Sequence, residues 1–69
     1  MNRAEVRIAC ASSTEAHTLL AALAPDDGGH LRSRVEGEAL VLDAEADTMM
    51  GLLRTLDDAL ACLRAAGTA

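Results

Sequence analysis

Residues 30–46, which read HLRSRVEGEALVLDAEA, decide the fold, because two alternating runs lie on either side of a single glycine. One face of the two runs would carry Leu31, Ser33, Val35, Leu40, Leu42 and Ala44. A period of two residues is typical of strands with one buried face, and a glycine between two such runs favours a tight turn. The segment therefore predicts an antiparallel hairpin that turns at about residues 36–38.

The segment before the hairpin predicts a strand and then a helix. The inward face of the strand would carry Ala4, Val6, Ile8 and Cys10. Ser12 followed by Glu15 is a capping-box pattern, and apolar residues at helical spacing come directly after it. This helix should end near Ala24, because Pro25 disfavours the α conformation in the residue before it. We interpret residues 26–29, which read DDGG, as a loop.

The segment after the hairpin predicts a longer helix, with Asp47 as its N-cap and Gly67 as its stop. Its buried face would carry Met49, Leu52, Leu53, Leu56, Ala59, Leu60 and Leu63. The predicted order is β-α-β-β-α, within one domain that spans residues 1–69. The simplest packing of these elements is an α+β fold, in which two helices cover one face of a three-stranded antiparallel sheet.

The composition limits the core and the classes of partner. The chain has 69 residues and no Phe, Tyr or Trp, so its core must be built from Leu, Ala and a few Val, Ile and Met. Chains of this length commonly need disulfides, a metal or a partner subunit for stability, and we expect a homo-oligomer. The net charge is −5 and there is no lysine. This balance argues against a free-standing nucleic-acid binder, because affinity for phosphates comes mainly from clustered positive charge.

The sequence shows no arrangement of side chains that predicts catalysis, a metal site or a cofactor. Cys10 and Cys62 are too far apart for a CxxC motif, and His17 and His30 each lack a second ligand at metal-site spacing. We therefore expect a reduced, cytoplasmic protein that is not an enzyme and holds no cofactor. The chain contains no apolar run of about 20 residues, so we expect no membrane span.

Both predicted helices turn small, mostly uncharged residues away from their leucines. On the second helix these residues recur at intervals of four and three: Gly51, Thr55, Asp58, Cys62 and Ala65. On the first helix they are Thr14, His17, Thr18 and Ala21. Arg54 and Asp58 are four residues apart and are expected to pair. One interpretation is that helices of a partner dock on these faces; the alternative is that they reflect an alanine-rich composition, with Gly51 as a first-turn irregularity.

The predicted strands place four arginines on their outward faces: Arg3, Arg7, Arg32 and Arg34. Four carboxylates lie at neighbouring outward positions: Glu5, Glu36, Asp43 and Glu45. Cross-strand ion pairs are the favoured interpretation. Contact with an RNA backbone, within an assembly where another subunit supplies most of the affinity, is the alternative.

Over nearly its whole length, from the first strand through the hairpin to the second helix, the chain resembles the small Pcc-type subunit of the KEOPS complex, which is familiar from archaea and eukaryotes. Residues 20–27, LAALAPDD, are similar to a Leu-Pro-Asp-Asn-like segment of that family. Residues 52–63, LLRTLDDALACL, resemble its Arg, Ser/Thr, Leu, Asn pattern in the second helix. Arg54, Thr55 and Leu56 match this pattern in type, whereas Asp57 stands where Asn is usual.

The resemblance implies a non-catalytic subunit that forms a homodimer and scaffolds the complex that makes threonylcarbamoyladenosine on tRNA. In that family the helices pack against N-terminal helices of the threonylcarbamoyl transferase, and Gly51 would then mark close approach of the partner. Contact with tRNA as part of the complex is a further expectation. The surface of the homodimer stays open between the sheet edges and the helix faces.

Two other classes of protein are weaker alternatives. A small-molecule-binding regulatory domain of the ACT type also begins strand, helix, strand, strand, helix, but it needs a fourth strand, and three residues follow residue 66. A small tautomerase needs an N-terminal proline as its base, whereas this chain starts Met-Asn-Arg and has its one proline at position 25.

Overall fold

A computed structural model describes residues 1–23 and 31–68, and within them it confirms the predicted order of elements. The strands are β1 (Asn2–Ala9), β2 (Leu31–Glu36) and β3 (Ala39–Ala46). The helices are α1 (Ser13–Ala22) and α2 (Met49–Thr68). The predicted loop at residues 26–29 and His30 lie outside the described residues.

The sheet has the order β1-β3-β2, and both pairs are antiparallel. Val6 lies opposite Leu42 and Ile8 opposite Leu40, while Val35 lies opposite Leu40 on the other side. The faces predicted from the alternating pattern are therefore correct. Helix α1 packs on β2 and β3, α2 packs on β3 and β1, and the two helices contact each other. The predicted α+β arrangement is confirmed.

The hairpin turns at Gly37 and Glu38, as predicted. Gly37 has φ +61°, and among the described residues no other type of residue has a positive φ. A glycine with positive φ at the first central position is what a two-residue type II′ hairpin turn requires. The backbone N–H of Cys10 donates to the carbonyl of Glu38 at 2.9 Å, so the β1–β3 pairing continues one step beyond the strand.

Side chains cap both helices, but only one cap is the predicted one. The Ser12 hydroxyl accepts from the N–H of Glu15 at 3.1 Å, as the capping-box pattern indicates. At α2 the prediction of Asp47 is wrong. Thr48 is the cap, because its hydroxyl accepts from the N–H of Gly51 and its carbonyl from the N–H of Leu52, both at 3.0 Å.

The helix ends differ slightly from the predicted ones. Helix α1 ends at Ala22 and Leu23 caps it, whereas the prediction was an end near Ala24. Helix α2 extends to Thr68, one residue past Gly67. Differences of one or two residues are ordinary at helix ends, where the last turn frays.

The core lies between the sheet and the helices. Its fully buried large side chains include Leu40 and Leu42 of the central strand. Helix α1 contributes the buried Ala16, and α2 contributes Leu52, Ala59 and Leu63. Partly buried residues of the other elements complete it: Val6, Ile8, Cys10, Leu19, Leu20, Leu23, Leu31 and Val35.

The predicted buried face of α2 is too wide. Met49, Leu53 and Leu60 were expected in the core, but all three are exposed, and Leu56 is only partly buried. The physical reason is a mismatch in width. A sheet of three strands about 4.8 Å apart is narrower than two helices side by side, each of which is about 10 Å in diameter. The helices therefore overhang the sheet, and one flank of α2 stays uncovered.

We predict that Leu42→Ala lowers the free energy of unfolding by about 2–5 kcal/mol, because it opens a cavity beneath both helices. Leu60→Ala removes the same atoms from an exposed position and should cost less than about 1 kcal/mol. Chemical denaturation at one fixed protein concentration measures both. Equal losses of stability would contradict the assignment of Leu42 to the core and of Leu60 to the exposed flank of α2.

Candidate interaction surfaces

The open face of the sheet, on the side away from the helices, carries ion pairs that cross the strands. Arg3 contacts Asp43 at 3.2 Å, and Arg7 contacts Glu36 at 2.9 Å. Further pairs join Arg3 to Glu45, Arg34 to Glu5 and Arg34 to Glu36. The predicted pairing is therefore confirmed for three of the four arginines. Arg32 forms no ion pair with a described residue.

Val41 is fully buried, although it lies on this open face. Arg7 and Arg34 stand opposite it on the two neighbouring strands, and the pairs Arg7–Glu36 and Arg34–Glu5 run across the central strand. Arginine stems cover apolar surface while their charged heads stay in water. This burial was not predicted from the sequence, since Val41 occupies an outward position in the alternating pattern.

The arginines and carboxylates of the open face balance each other. Four arginines and four carboxylates lie on it, and four minus four leaves no net charge. A neutral face lacks the clustered positive charge that draws nucleic acid to a surface. RNA contact by Arg3, Arg7, Arg32 and Arg34 stays a prediction. It would need positive charge supplied by another subunit.

Glu36 is the most strongly engaged carboxylate of this face. Hydrogen bonds from Arg34, and then from Arg7, hold the pKa of Glu36 below its ordinary value of 4.5. The same contact with Glu36 raises the pKa of the Arg34 guanidinium. The carboxylate is exposed, so water screens much of the interaction.

The outer face of α1 is exposed and has almost no charge. Its members Thr14, His17, Thr18 and Ala21 are all exposed. Polar groups on this face bond within the helix. The Thr18 hydroxyl donates to the Thr14 carbonyl at 3.0 Å, and His17 Nδ1 lies 2.9 Å from the carbonyl oxygen of Ser13. Glu15, the one carboxylate of the helix, accepts from the N–H of Ala11.

The small-residue stripe of α2, defined as Gly51, Thr55, Asp58, Cys62 and Ala65, does not lie fully opposite the core. Asp58, Cys62 and Ala65 are exposed, but Gly51 and Thr55 are half-buried. The Thr55 hydroxyl donates to the carbonyl of Gly51 at 3.0 Å. Arg54 is exposed, and the expected ion pair between Arg54 and Asp58 does not form.

Gly51 has a close contact within its own chain. A Cβ atom at this position would lie 3.1 Å from Thr48 Oγ1 and 3.4 Å from Ala46 Cβ. The first distance is tighter than most real Cβ contacts, and it involves the hydroxyl that caps the helix. Contacts within the chain are therefore one reason for a glycine here. The approach of a partner, which the resemblance implies, is a second one.

The sequence did not reveal an apolar ridge on α2, which we define as Met49, Leu53 and Leu60. Their exposed fractions are 57%, 50% and 39%, and the neighbouring Met50 is 73% exposed. The three residues lie on one line of the helix surface, because three- and four-residue steps return to the same side. Only a comparison of the widths of the helices and the sheet would have separated this ridge from the core.

Metal-type clusters, thiols and membrane-spanning helices are the other features considered among the described residues. Within residues 1–23 and 31–68, no three His, Cys, Asp or Glu side chains are grouped as a metal site would need. Cys10 is a half-buried free thiol that donates to the Ile8 carbonyl at 3.7 Å, and Cys62 is an exposed one. No described helix has both the length and the apolar character needed to cross a bilayer.

Comparison with protein-family models, with curated proteins and with solved structures finds no match to this chain. The resemblance to the Pcc-type family therefore depends on the order of the elements and on the two quoted segments.

We predict that Glu36→Gln reduces the dependence of stability on pH. A carboxylate whose folded pKa is lowered stabilises the fold above its unfolded pKa, and this contribution is lost as the pH falls through the folded value. The variant should therefore lose less stability between pH 7 and pH 3 than the parent chain. Denaturation at both pH values measures the difference. Glu38→Gln, in the exposed turn, is the matched control and should behave like the parent.

We predict that Gly51→Ala raises the free energy of unfolding by less than the usual amount. Alanine in place of glycine at an unhindered helix position gains about 0.5–1 kcal/mol. The added Cβ crowds the Thr48 hydroxyl and offsets the better helix propensity. Ala61→Gly, at an exposed site of the same helix, should cost the full amount. If Gly51→Ala shows the full gain in chemical denaturation, the chain itself does not require glycine at this position.

Proposed function

We propose that the chain is a non-catalytic scaffold subunit of a KEOPS-type complex, which modifies tRNA to threonylcarbamoyladenosine. Its two helices would dock helices of the threonylcarbamoyl transferase, and two copies of the chain would form a homodimer. The proposal places the protein in the cytoplasm and gives it no cofactor. It starts from the resemblance of residues 20–27 and 52–63 to the Pcc-type family.

The observation that best supports docking is the exposure of large apolar side chains on the helical layer, while the ion pairs lie on the sheet. All the ion pairs given above lie on the open sheet face. The helical layer exposes threonines and alanines on α1. On α2 it exposes large apolar side chains beside four charged ones: Arg54, Asp57, Asp58 and Arg64. The cores of protein interfaces are depleted of charged residues and enriched in Met and aromatic residues. A surface of this kind favours a protein partner over a nucleic acid.

The geometry also suits helices as the docking elements. Helices α1 and α2 contact each other and form one layer on the sheet. Two adjacent helices leave a shallow groove between them, and an amphipathic helix places its apolar face in such a groove. Small exposed residues such as Ala21 and Cys62 allow the backbones to approach. Contact with tRNA would then come through the whole complex, because the open sheet face has no net charge.

We predict that the chain co-migrates with the transferase from the same source in size exclusion with light scattering. Thr18→Arg and Cys62→Arg each place a long charged side chain on the outer face of one helix. Each should weaken transferase binding at least about tenfold, measured by calorimetry, because the charge would be desolvated in the interface.

Glu38→Arg is the matched control, because it adds the same side chain in the hairpin turn. It should bind the transferase like the parent chain, and circular dichroism should show that all three variants are folded. Separate peaks for the parent chain and the transferase, under conditions in which both are folded, would remove the proposed function.

The ACT-like alternative makes a different prediction, which is a small amino acid bound to the purified chain. Native mass spectrometry tests it directly. A stoichiometric adduct that disappears on denaturation would favour ligand binding over the scaffold.

A further inference from the structure

The outer edge of β2 presents backbone groups that no described strand uses. Among the strands of residues 1–23 and 31–68, β2 pairs with β3 alone. The two-residue turn makes Glu36 and Ala39 a hydrogen-bonded pair, and such pairs recur at every second residue of an antiparallel ladder. The even-numbered residues of β2 therefore bond to β3. Ser33 and Val35 point their N–H and C=O groups to the outer edge.

The helix side of this edge is only partly covered. The side chains of Ser33 and Val35 lie on the face of the sheet that packs against the helices, yet Ser33 is exposed and Val35 is half-buried. Helix α1 contacts β2 but does not cover it at Ser33. A further strand at this edge would place side chains beside these two residues, and apolar ones would cover the exposed part of Val35.

The open side of the same edge carries an arginine without a carboxylate partner. The other three arginines engage all four carboxylates of the open face: Arg34 contacts Glu5 and Glu36, Arg7 contacts Glu36, and Arg3 contacts Asp43 and Glu45. Arg32 stands opposite Asp43, but it is exposed and makes no ion pair within the described chain. Its guanidinium donors are therefore free to bond a carboxylate from outside the chain.

Charge argues against a second copy of this chain as the occupant of the β2 edge. With Ser33 on a two-fold axis, Arg32 faces Arg34 of the second copy, and with Arg34 on the axis this arginine faces itself. Like charges directly opposite are destabilising. A register with Val35 on the axis sets Arg34 opposite Glu36 but pairs only residues 34–36 of the strand. The edge therefore disfavours its own copies and suits a strand of different charge.

A protein strand is favoured over RNA at this edge. RNA binding draws on clustered positive charge and on aromatic side chains that stack with bases. Arg32 is one arginine beside charges that are already paired, and the chain contains no aromatic residue. Alternating backbone N–H and C=O groups along a sheet edge, in contrast, are a template for another strand.

We infer that the β2 edge binds an extended segment of another protein, antiparallel like the rest of the sheet. The segment carries one carboxylate opposite Arg32 and apolar side chains beside Ser33 and Val35. In such strand addition, main-chain hydrogen bonds supply the affinity and alternate side chains supply the specificity. A single carboxylate suits this chain better than an acidic run, because the net charge of the chain is −5. The site is separate from the helical layer, and it does not rest on the proposed function.

Two synthetic peptides test the site. The probe is acetyl-Thr-Val-Thr-Val-Glu-Val-amide, whose Glu lies opposite Arg32 when its first Thr lies opposite Glu36. The second peptide has Lys in place of that Glu. In a nuclear magnetic resonance titration at millimolar peptide, the glutamate peptide should shift the amide signals of Ser33 and Val35 and slow their hydrogen exchange. Its dissociation constant should be about three- to tenfold lower than that of the lysine peptide, because the opposing pair changes from unlike to like charge.

Charge exchange in the chain provides the matched test. Arg32→Glu should reverse the preference, so that the lysine peptide binds more tightly, and Arg32→Gln should abolish it. Ala61→Glu adds a carboxylate at an exposed site of α2, away from the sheet, and should keep the preference of the parent chain. Circular dichroism should show that all three variants are folded.

Several results would overturn the inference. They are no peptide binding at the β2 edge, binding at the edge of β1 instead, or a preference that Arg32→Glu leaves unchanged. An oligouridylate is the further probe: if it shifts the side-chain signal of Arg32 while neither peptide binds, the arginine contacts RNA and not a protein strand. Calorimetry with the transferase bears on the proposed function alone, so failure of one proposal is distinguishable from failure of the other.

Discussion

Burial of β3 is the constraint on which the rest of the structure depends. The strand lies between β1 and β2, and its consecutive residues Leu40, Val41 and Leu42 are all fully buried. Leu40 and Leu42 face the helices, whereas Val41 faces the other way, beneath arginines of both neighbouring strands. The chain contains no aromatic residue, so this strand provides the largest fully buried side chains of the described fold. The edge strands and both helices are arranged around it.

The narrow sheet explains why a chain with this much leucine leaves some of it exposed. Two helices side by side, each about 10 Å in diameter, need a sheet as wide as both of them together. Three strands do not provide that width. Leu52, Ala59 and Leu63 reach the sheet, while Met49, Leu53 and Leu60 overhang it. The apolar ridge is therefore a consequence of the architecture.

The two layers present different surfaces to the solvent. The sheet face carries a network of balanced charges, in which Arg7, Arg34 and Glu36 are joined. Such exposed pairs contribute little to stability individually, but they keep the face polar and cover Val41. The helical layer exposes threonine, alanine and apolar side chains, together with the charged Arg54, Asp57, Asp58 and Arg64 of α2. The large exposed apolar side chains of α2 are the part of this layer suited to protein contact, and they give the scaffold proposal its physical basis.

The sequence by itself determined the local features: the order of elements, the turn at Gly37, the Ser12 cap, the strand faces and most of the ion pairs. These follow from short-range periodicity and from residue types that favour one conformation. It also indicated that the outer face of α1 is weakly charged. Tertiary structure alone decided that Thr48 caps α2 in place of Asp47, that Gly51 lies against Ala46, and that Val41 is buried. It also decided which side of α2 meets the sheet, because a periodic pattern gives the apolar arc of a helix but not the width of the surface that covers it.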